Sequence, residues 1–392
     1  LVKVFVWTDL YGAPLLVGRL AAGTAQNVWF QYAPSYLAQP QVHALSPDLP
    51  LQEAAHSVRV FKKQLQGVLG DAMPDAWGQR VLAALHSNPL EPLETLLKMD
   101  CHSVGSLRFS GVARVCSPRQ PAPDVAELAD ALASIEALDQ GYGLDPAFQA
   151  IIAAGSSLGG MRPKVAVRWQ GKEYLAKLAR HNEPADLPAI EVATLHWAAA
   201  CGLQVCSAHH TVIAGRSVAL IERFDRQPQQ HYLSAHGLWN RLHYDNQAET
   251  TWASYGGLAD AARKLLPAEA VPAALKELFC RAAFNLWVGN TDDHGKNHGF
   301  LMNAQGQWAL APAFDVLPTF DGNRQFHALG LGPEGRKRSL DNLLKGAGRF
   351  GLHPDEAIAL WQALQKKAQA LSYPQNLRAE DQRRIQQQLW QA

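Results

Sequence analysis

The first hundred residues alternate short apolar runs with turn residues. Val2 to Thr8 alternates around Lys3, Gly12-Ala13-Pro14 supplies a turn, Leu15 to Leu20 is apolar again, and Asn27 to Tyr32 is a short aromatic run. Strands at this spacing predict a small meander. From Val58 to His86 the pattern is helical or mixed, broken by Gly67, Gly70 and Pro74. The proline-rich stretch from Ser117 to Pro123 reads as a linker, and Asp124 caps a predicted helix running through Leu138.

The pattern changes near Ala153. Ser156-Ser157-Leu158-Gly159-Gly160 is a loop of small residues, and Lys164 to Trp169 with Glu173 to Ala179 predicts a hairpin around Gln170-Gly171-Lys172. Pro188 to Gly202 reads as a helix that stops at a C′ glycine. Two strands follow, near His209 to Ala214 and Ser217 to Phe224. After that the periodicity is mostly helical. A strongly apolar helix runs from Pro272 to Val288, a short hairpin joins Phe300–Asn303 to Trp308–Ala311, and two terminal helices span Pro354 to Leu371 and Arg378 to Trp390. The expected fold is α/β (α+β): a β-rich lobe followed by a mostly helical one, in the order of a bilobal protein kinase.

Composition narrows the function classes. With 392 residues, 47% hydrophobic and 18% charged, the chain has material for a sizeable core and does not read as disordered. Lys and Arg number 36 against 35 Asp and Glu, which gives no strong electrostatic reason for direct nucleic-acid binding. The densest basic run, Arg336-Lys337-Arg338, reads as a solvated loop. Five scattered cysteines argue against a disulfide scaffold and suit a reducing cytoplasm. Cys201, Cys206, His209 and His210 lie close in sequence, but no second ligand pair follows at zinc-site spacing, so a structural role is expected. Neither a signal-peptide pattern nor an apolar run of ~18 residues is visible, so no membrane association and a cytoplasmic location are expected.

The sharpest chemical signal is the polar loop Gly289-Asn290-Thr291-Asp292-Asp293-His294-Gly295-Lys296-Asn297, placed directly after the apolar helix. Asp292 and Asn297, five residues apart, have the spacing of a protein-kinase catalytic loop. One tight loop can then offer an aspartate to the acceptor hydroxyl and an amide oxygen to Mg²⁺. Asp293 is one short of that spacing and is expected to matter much less. Phe314-Asp315 follows the second hairpin and supplies a second candidate metal carboxylate. Lys177 sits on a strand between Leu175 and Leu178, where a buried ammonium needs a partner, and Glu191 on the next helix is the candidate. As a kinase lysine, Lys177 would hold ATP phosphates. Gly155 to Lys164 would face the same phosphates through backbone N–H groups, although it matches neither common glycine-rich phosphate motif. Glu222-Arg223-Phe224-Asp225-Arg226 fits a hinge whose backbone reads adenine.

Three of these segments, Ser-Ser-Leu-Gly-Gly-Met-Arg-Pro-Lys, Glu-Arg-Phe-Asp-Arg and Gly-Asn-Thr-Asp-Asp-His-Gly-Lys-Asn, occur in the order of the HipA family, which the chain resembles. Ala311-Pro312-Ala313-Phe314-Asp315 looks like that family's metal segment, and Gly70 to Gly78 resembles part of its N-terminal subdomain. The resemblance implies a serine/threonine kinase, typically the toxin of a toxin–antitoxin pair. It implies three parts: an N-terminal subdomain over 1–116, the rest of the N-lobe over 124–226, and a helical C-lobe over 227–392. It further implies Asp292 as base, and Asn297 and Asp315 as Mg²⁺ ligands. ATP would lie on Gly159, Gly160, Met161, Arg162, Pro163, Lys164 and Lys177. The hinge residues Glu222, Arg223 and Phe224 would add to that site, as would His294, Gly295, Lys296, Asn297, Phe314 and Asp315. Ser157 matches the serine the family autophosphorylates, with Ser156 beside it. Gly-Gly-Met departs from the commoner loop sequence. The partners so implied are a small helix-turn-helix antitoxin of the HipB kind, operator DNA only through that antitoxin, and an aminoacyl-tRNA synthetase target, notably the glutamyl enzyme. Two rivals stand beside this reading: a lipid or small-molecule kinase, and a catalytically silent corepressor or scaffold.

Overall fold

The structure, a computed structural model, describes residues 2–24, 27–86, 89–116, 119–180, 183–242, 253–320, 325–370 and 377–390. Its first unit is an antiparallel six-stranded sheet. The strands β1 (Lys3–Thr8), β2 (Leu15–Ala22), β3 (Asn27–Tyr32), β4 (His56–Phe61), β5 (Gln64–Leu65) and β6 (Leu107–Ser110) lie in the order β5-β4-β3-β2-β1-β6. Period-two burial explains the strands: Val4 and Val6 on β1, and Val28, Phe30 and Tyr32 on β3, all face the core. The stretch after Val58 is mixed. It finishes β4, forms β5, and then becomes helix α1 (Ala76–Leu85).

The second sheet holds β7 (Lys164–Trp169), β8 (Lys172–Leu178), β9 (Ala208–Ile213) and β10 (Arg216–Glu222) in the order β7-β8-β10-β9. Helix α2 (Leu128–Asp139) follows a short 3-10 turn whose N-cap Asp124 accepts the Ala126 N–H at 3.1 Å. Of the predicted linker, Ser117 and Pro118 lie outside the described residues. One apolar core joins Trp77 and Val81 of α1, Leu128 and Ile135 of α2, and Val165, Val167, Val218 and Leu220 of the sheet. Helix α1, which follows the first sheet in the chain, therefore packs against the second. Helix α3 (Leu187–Cys201) covers the sheet from another side and stops at Gly202, as its pattern predicted.

The remainder is mostly helical, built on α4 (Tyr255–Leu265), α5 (Val271–Val288) and α6 (Pro354–Ala370). Helix α5 is nearly all buried from Leu278 to Val288, which is why its sequence lacks a polar face. The predicted hairpin is β12 (Gly299–Met302) with β13 (Trp308–Leu310), and an unforeseen strand β11 (His231–Ser234) pairs with β12. The last helix is Ala379–Gln386, shorter than the expected run to Trp390. Among the described residues, no helix is long and apolar enough to cross a membrane.

Candidate active site

Helix α5 ends at Gly289 in the left-handed conformation (φ +75°), where a Cβ would lie 2.7 Å from the Gln388 carbonyl oxygen. The chain can therefore turn sharply into the polar loop. A buried relay braces that loop from beneath. The Asn290 amide donates to Asn285 Oδ1 at 3.1 Å, the Asn285 amide to the Tyr255 hydroxyl at 2.8 Å, and that hydroxyl in turn to Asp293. His298 Nε2 lies 2.8 Å from the other Asp293 oxygen. Burial alone would push the Asp293 carboxyl up, but His298 and the Tyr255 hydroxyl outweigh it and hold it below the ordinary value. Asp293 is thus the loop's internal anchor, a structural role that its spacing to Asn297 did not indicate. Asp292 instead lies exposed on the loop's outer side, and its backbone oxygen takes the Asn297 amide at 3.5 Å. Asn297 is buried in the 3-10 turn Gly295–Asn297 and lines a small cavity together with Phe314 and Val316.

On β8, the Lys177 ammonium donates to Glu191 Oε1 of α3 at 2.5 Å and to Asp315 Oδ1 at 2.6 Å. Burial lowers the ammonium's pKa, but the Asp315 and Glu191 charges outweigh it and raise Lys177 above its usual value. Burial works against ionisation of Asp315 too, yet Lys177 and Lys164 draw its carboxyl well below the usual range. Its side chain keeps 40% of its surface exposed, and its backbone is left-handed (φ +57°), a geometry uncommon outside glycine and tolerated best by Asn and Asp. Lys164 stands directly opposite Lys177 across β7 and β8. Burial first, and then the neighbouring Lys177 charge, lower Lys164 to about 8. Two cations thus stand side by side on one face of a sheet, with the Asp315 carboxylate reaching one of them from another element.

The small-residue loop leads into Lys164. Gly160 is left-handed (φ +89°), and a Cβ there would strike the Lys164 ammonium. Ser156 and Ser157 are buried against Asp100, whereas Met161 is 71% exposed. Arg162 pairs with Glu183 at 2.6 Å, and Arg180 donates to the Met161 carbonyl at 2.8 Å. In the hinge segment, the Glu222 N–H is committed to Ser207 O at 2.8 Å and the Arg223 N–H to Glu173 O at 2.9 Å. The Arg223 guanidinium is buried on Asp225 and on the His102 and Ser103 carbonyls, turned toward the first sheet. Phe224 meets Phe314 with ring centroids 5.5 Å apart, which joins the hinge segment to the segment that carries Asp315. Lys296 is paired with Asp75. Cys201 and Cys206 are buried, and no group of three or more His, Cys, Asp or Glu that could hold a metal occurs among the described residues.

The HipA-like C-terminal domain matches residues 156–371, and the HipA N-terminal domain matches residues 8–110. The chain belongs to the HipA family. This HipA-family chain is 27% identical over 338 residues to a protein of Sinorhizobium fredii, Y4mE, whose name assigns it provisionally to the kinases; the match covers 80% of the chain and 76% of that protein. Its fold is similar to that of HipA from Shewanella oneidensis MR-1, solved as a toxin–antitoxin complex with HipB and operator DNA. That alignment has a TM-score of 0.68 and 18% identity, and covers 98% of this chain and 94% of the other. The family fold therefore extends across both matched regions, and the expected bilobal, kinase-like architecture agrees with it.

Several residues around this HipA-family site were given no such role from the sequence. Asp293, Tyr255 and His298 form the relay, and Asp71, Asp75 and Asp100 reach the site from the first sheet's side. Asp71 and Asp75 lay inside the Gly70–Gly78 segment that carried the resemblance, which was a signal without a role. Asp100 had no local signal.

Proposed function

We propose that this chain is an ATP-dependent protein kinase that transfers the γ-phosphoryl group to a serine or threonine hydroxyl, and that it serves as the toxin of a toxin–antitoxin pair. The observation that carries the reading is Lys177 held between Glu191 and Asp315. In a kinase, a lysine fixed by a helix carboxylate is oriented for phosphates before they arrive, so little reorganisation is needed during transfer.

In this reading Asp292 accepts the proton of the attacking hydroxyl, and the 3-10 turn orients it relative to Asn297. Asn297 and Asp315 offer hard oxygen donors, one amide and one ionised carboxylate, which fit Mg²⁺. When bound there, the ion neutralises charge on the phosphates. Lys164 and Lys177 hold the phosphates by charge, and the Gly159-Gly160 backbone lets the chain approach them closely. Adenine is read by the Glu222 carbonyl and the Phe224 N–H, because the Glu222 and Arg223 N–H groups are already used and the Arg223 guanidinium is turned away. Ser157 is the self-phosphorylation site. A HipB-like antitoxin is the partner, in keeping with the Shewanella oneidensis complex, and any operator DNA is met through it. The acceptor is a translation protein such as glutamyl-tRNA synthetase.

The test is incubation of pure protein with γ-labelled ATP and a cell extract, with and without Mg²⁺. Label on a protein that is lost with Asp292→Asn supports the reading. Label in the lipid fraction alone, or none anywhere, overturns it.

A further inference from the structure

The loop that would hold the phosphates is carried by the second sheet but fastened from the first. Asp100 lies between the short helix Pro92–Lys98 and β6. Its Oδ2 accepts the Ser156 N–H at 3.0 Å, the Ser156 hydroxyl at 3.1 Å and the Ser157 N–H at 3.4 Å, and its Oδ1 accepts the Ser157 hydroxyl. The Asp100 N–H returns a bond to Ser156 Oγ at 2.8 Å. Further along, Asp75 Oδ2 accepts the Gly160 N–H at 2.9 Å, while Oδ1 takes the Lys296 ammonium of the catalytic loop. Trp77 completes the seat, its N–H donating to Gly160 O at 3.1 Å and its indole to Lys164 O at 2.7 Å.

We infer that Asp75 and Asp100 are positioning residues that set how much of the time the phosphate loop stands in its nucleotide-binding conformation. Apart from the buried Leu158, the loop from Gly155 to Gly160 is made of small residues with little side-chain bulk to wedge it in place. Its order rests on hydrogen bonds, and bonds to an ionised acceptor are about twice as strong as neutral ones. Losing such an acceptor would strand buried N–H and O–H donors and favour the loop's release. A protein whose competent state is only partly populated binds its ligand more weakly in proportion to that fraction. Saturating ligand restores the competent state. Weakening either aspartate should therefore raise KM for ATP and leave kcat nearly unchanged. A merely structural loss would lower both activity and thermal stability. The control comes from the region matched by the HipA N-terminal domain, so a shift of that region against the loop changes nucleotide affinity.

The inference rests on the kinase reading for its ligand but not for its loop. In the full chain, Asp100→Asn, Asp75→Asn and the double variant would be compared with wild type by hydrogen exchange of the peptide covering residues 154–163, by ATP titration calorimetry, and by steady-state kinetics. The expected result is faster exchange in each variant, with KM and Kd for ATP raised about tenfold per aspartate, and kcat held. Ser156→Ala, which removes two of the bonds and neither carboxylate, should shift exchange in the same direction, and it decides the matter if an aspartate variant fails to fold. Unchanged loop exchange overturns the inference. So does faster exchange with unaltered ATP affinity, or tighter ATP binding, which would mean that Asp75 competes with the nucleotide. If wild type binds no ATP, the kinase reading falls, while the exchange comparison still decides whether the aspartates hold the loop.

Discussion

The two loops that would meet at ATP are held by opposite strategies. The catalytic loop is braced from within its own lobe, by a relay through Asn290, Asn285, Tyr255, Asp293 and His298 that is buried throughout. The phosphate loop is braced from a different part of the molecule, by carboxylates placed 56 to 85 residues earlier in the chain. A buried relay is high-stakes: fully satisfied it fixes one geometry, and any gap in it is costly. A latch made from a neighbouring unit can be opened without unfolding either side. The comparison teaches that, in the kinase reading, the loop carrying the base is held from within and the loop facing the phosphates is held from outside.

The largest effect should come from the exposed face of the braced loop. Asp292→Asn is expected to cut phosphoryl transfer about a thousandfold while leaving the melting temperature unchanged. Asp315→Asn, chosen because asparagine tolerates the left-handed backbone there, should be similarly inactive. Wild-type rates from Asp292→Asn would remove the base from its role.

Asp293→Ala should break the comparison at its rigid end. It leaves His298 and the Tyr255 hydroxyl buried without their partner, at a cost of ~3 kcal/mol, whereas Asp292→Ala should stay within about 0.5 kcal/mol. Urea unfolding of the two variants measures this, and equal stabilities would mean the relay is not what holds the loop.

At the adjustable end, incubation with ATP should place phosphate on Ser157 rather than Ser156. The Ser157 hydroxyl donates to Asp100, so a phosphate there carries ~1.5–2 negative charges against a carboxylate, which favours release of the loop. Peptide mapping with intact-mass analysis, followed by ATP titration, tests this. Full modification with undiminished nucleotide binding would sink the switch and leave the kinase standing.

The smallest effect concerns another contact from the first sheet's side. Asp71 accepts the Ser234 N–H at 2.7 Å and the Ser234 hydroxyl, yet burial outweighs those donors and raises its carboxyl from 3.8 to about 6. Between those values the native state holds a proton that the unfolded chain has lost. This contribution to stability is complete below the unfolded value and is lost as pH rises through about 6. Wild type measured against Asp71→Asn should therefore lose ground from pH 5 to pH 7 in urea unfolding. A gain over that interval would reverse the assignment.

What the sequence made legible follows from range. The Lys177 hairpin, the Glu191 helix and the turn out of α5 are written in local periodicity and in glycines, and they appear where expected. Strand β11 was not legible, because His231, Tyr232, Leu233 and Ser234 are all buried and so show no alternation. The anchoring role of Asp293 was not legible, because a spacing rule distinguishes it from Asp292 but says nothing about which side of the loop faces inward. Asp75 and Asp100 act across long separations, and a single carboxylate in a loop leaves no periodic trace.

The hinge carries one more consequence. Asp225 is buried between Arg223 and Arg226, and these guanidiniums donate onward to the carbonyls of His102, Ser103 and Gly105 just ahead of β6. A segment tied by that many charged bonds is a poor pivot, since opening it would leave desolvated charges without their partners. In mechanical terms the chain is a frame whose corner has been welded. Any swing of one lobe against the other about this segment would have to carry residues 102–105 along with it.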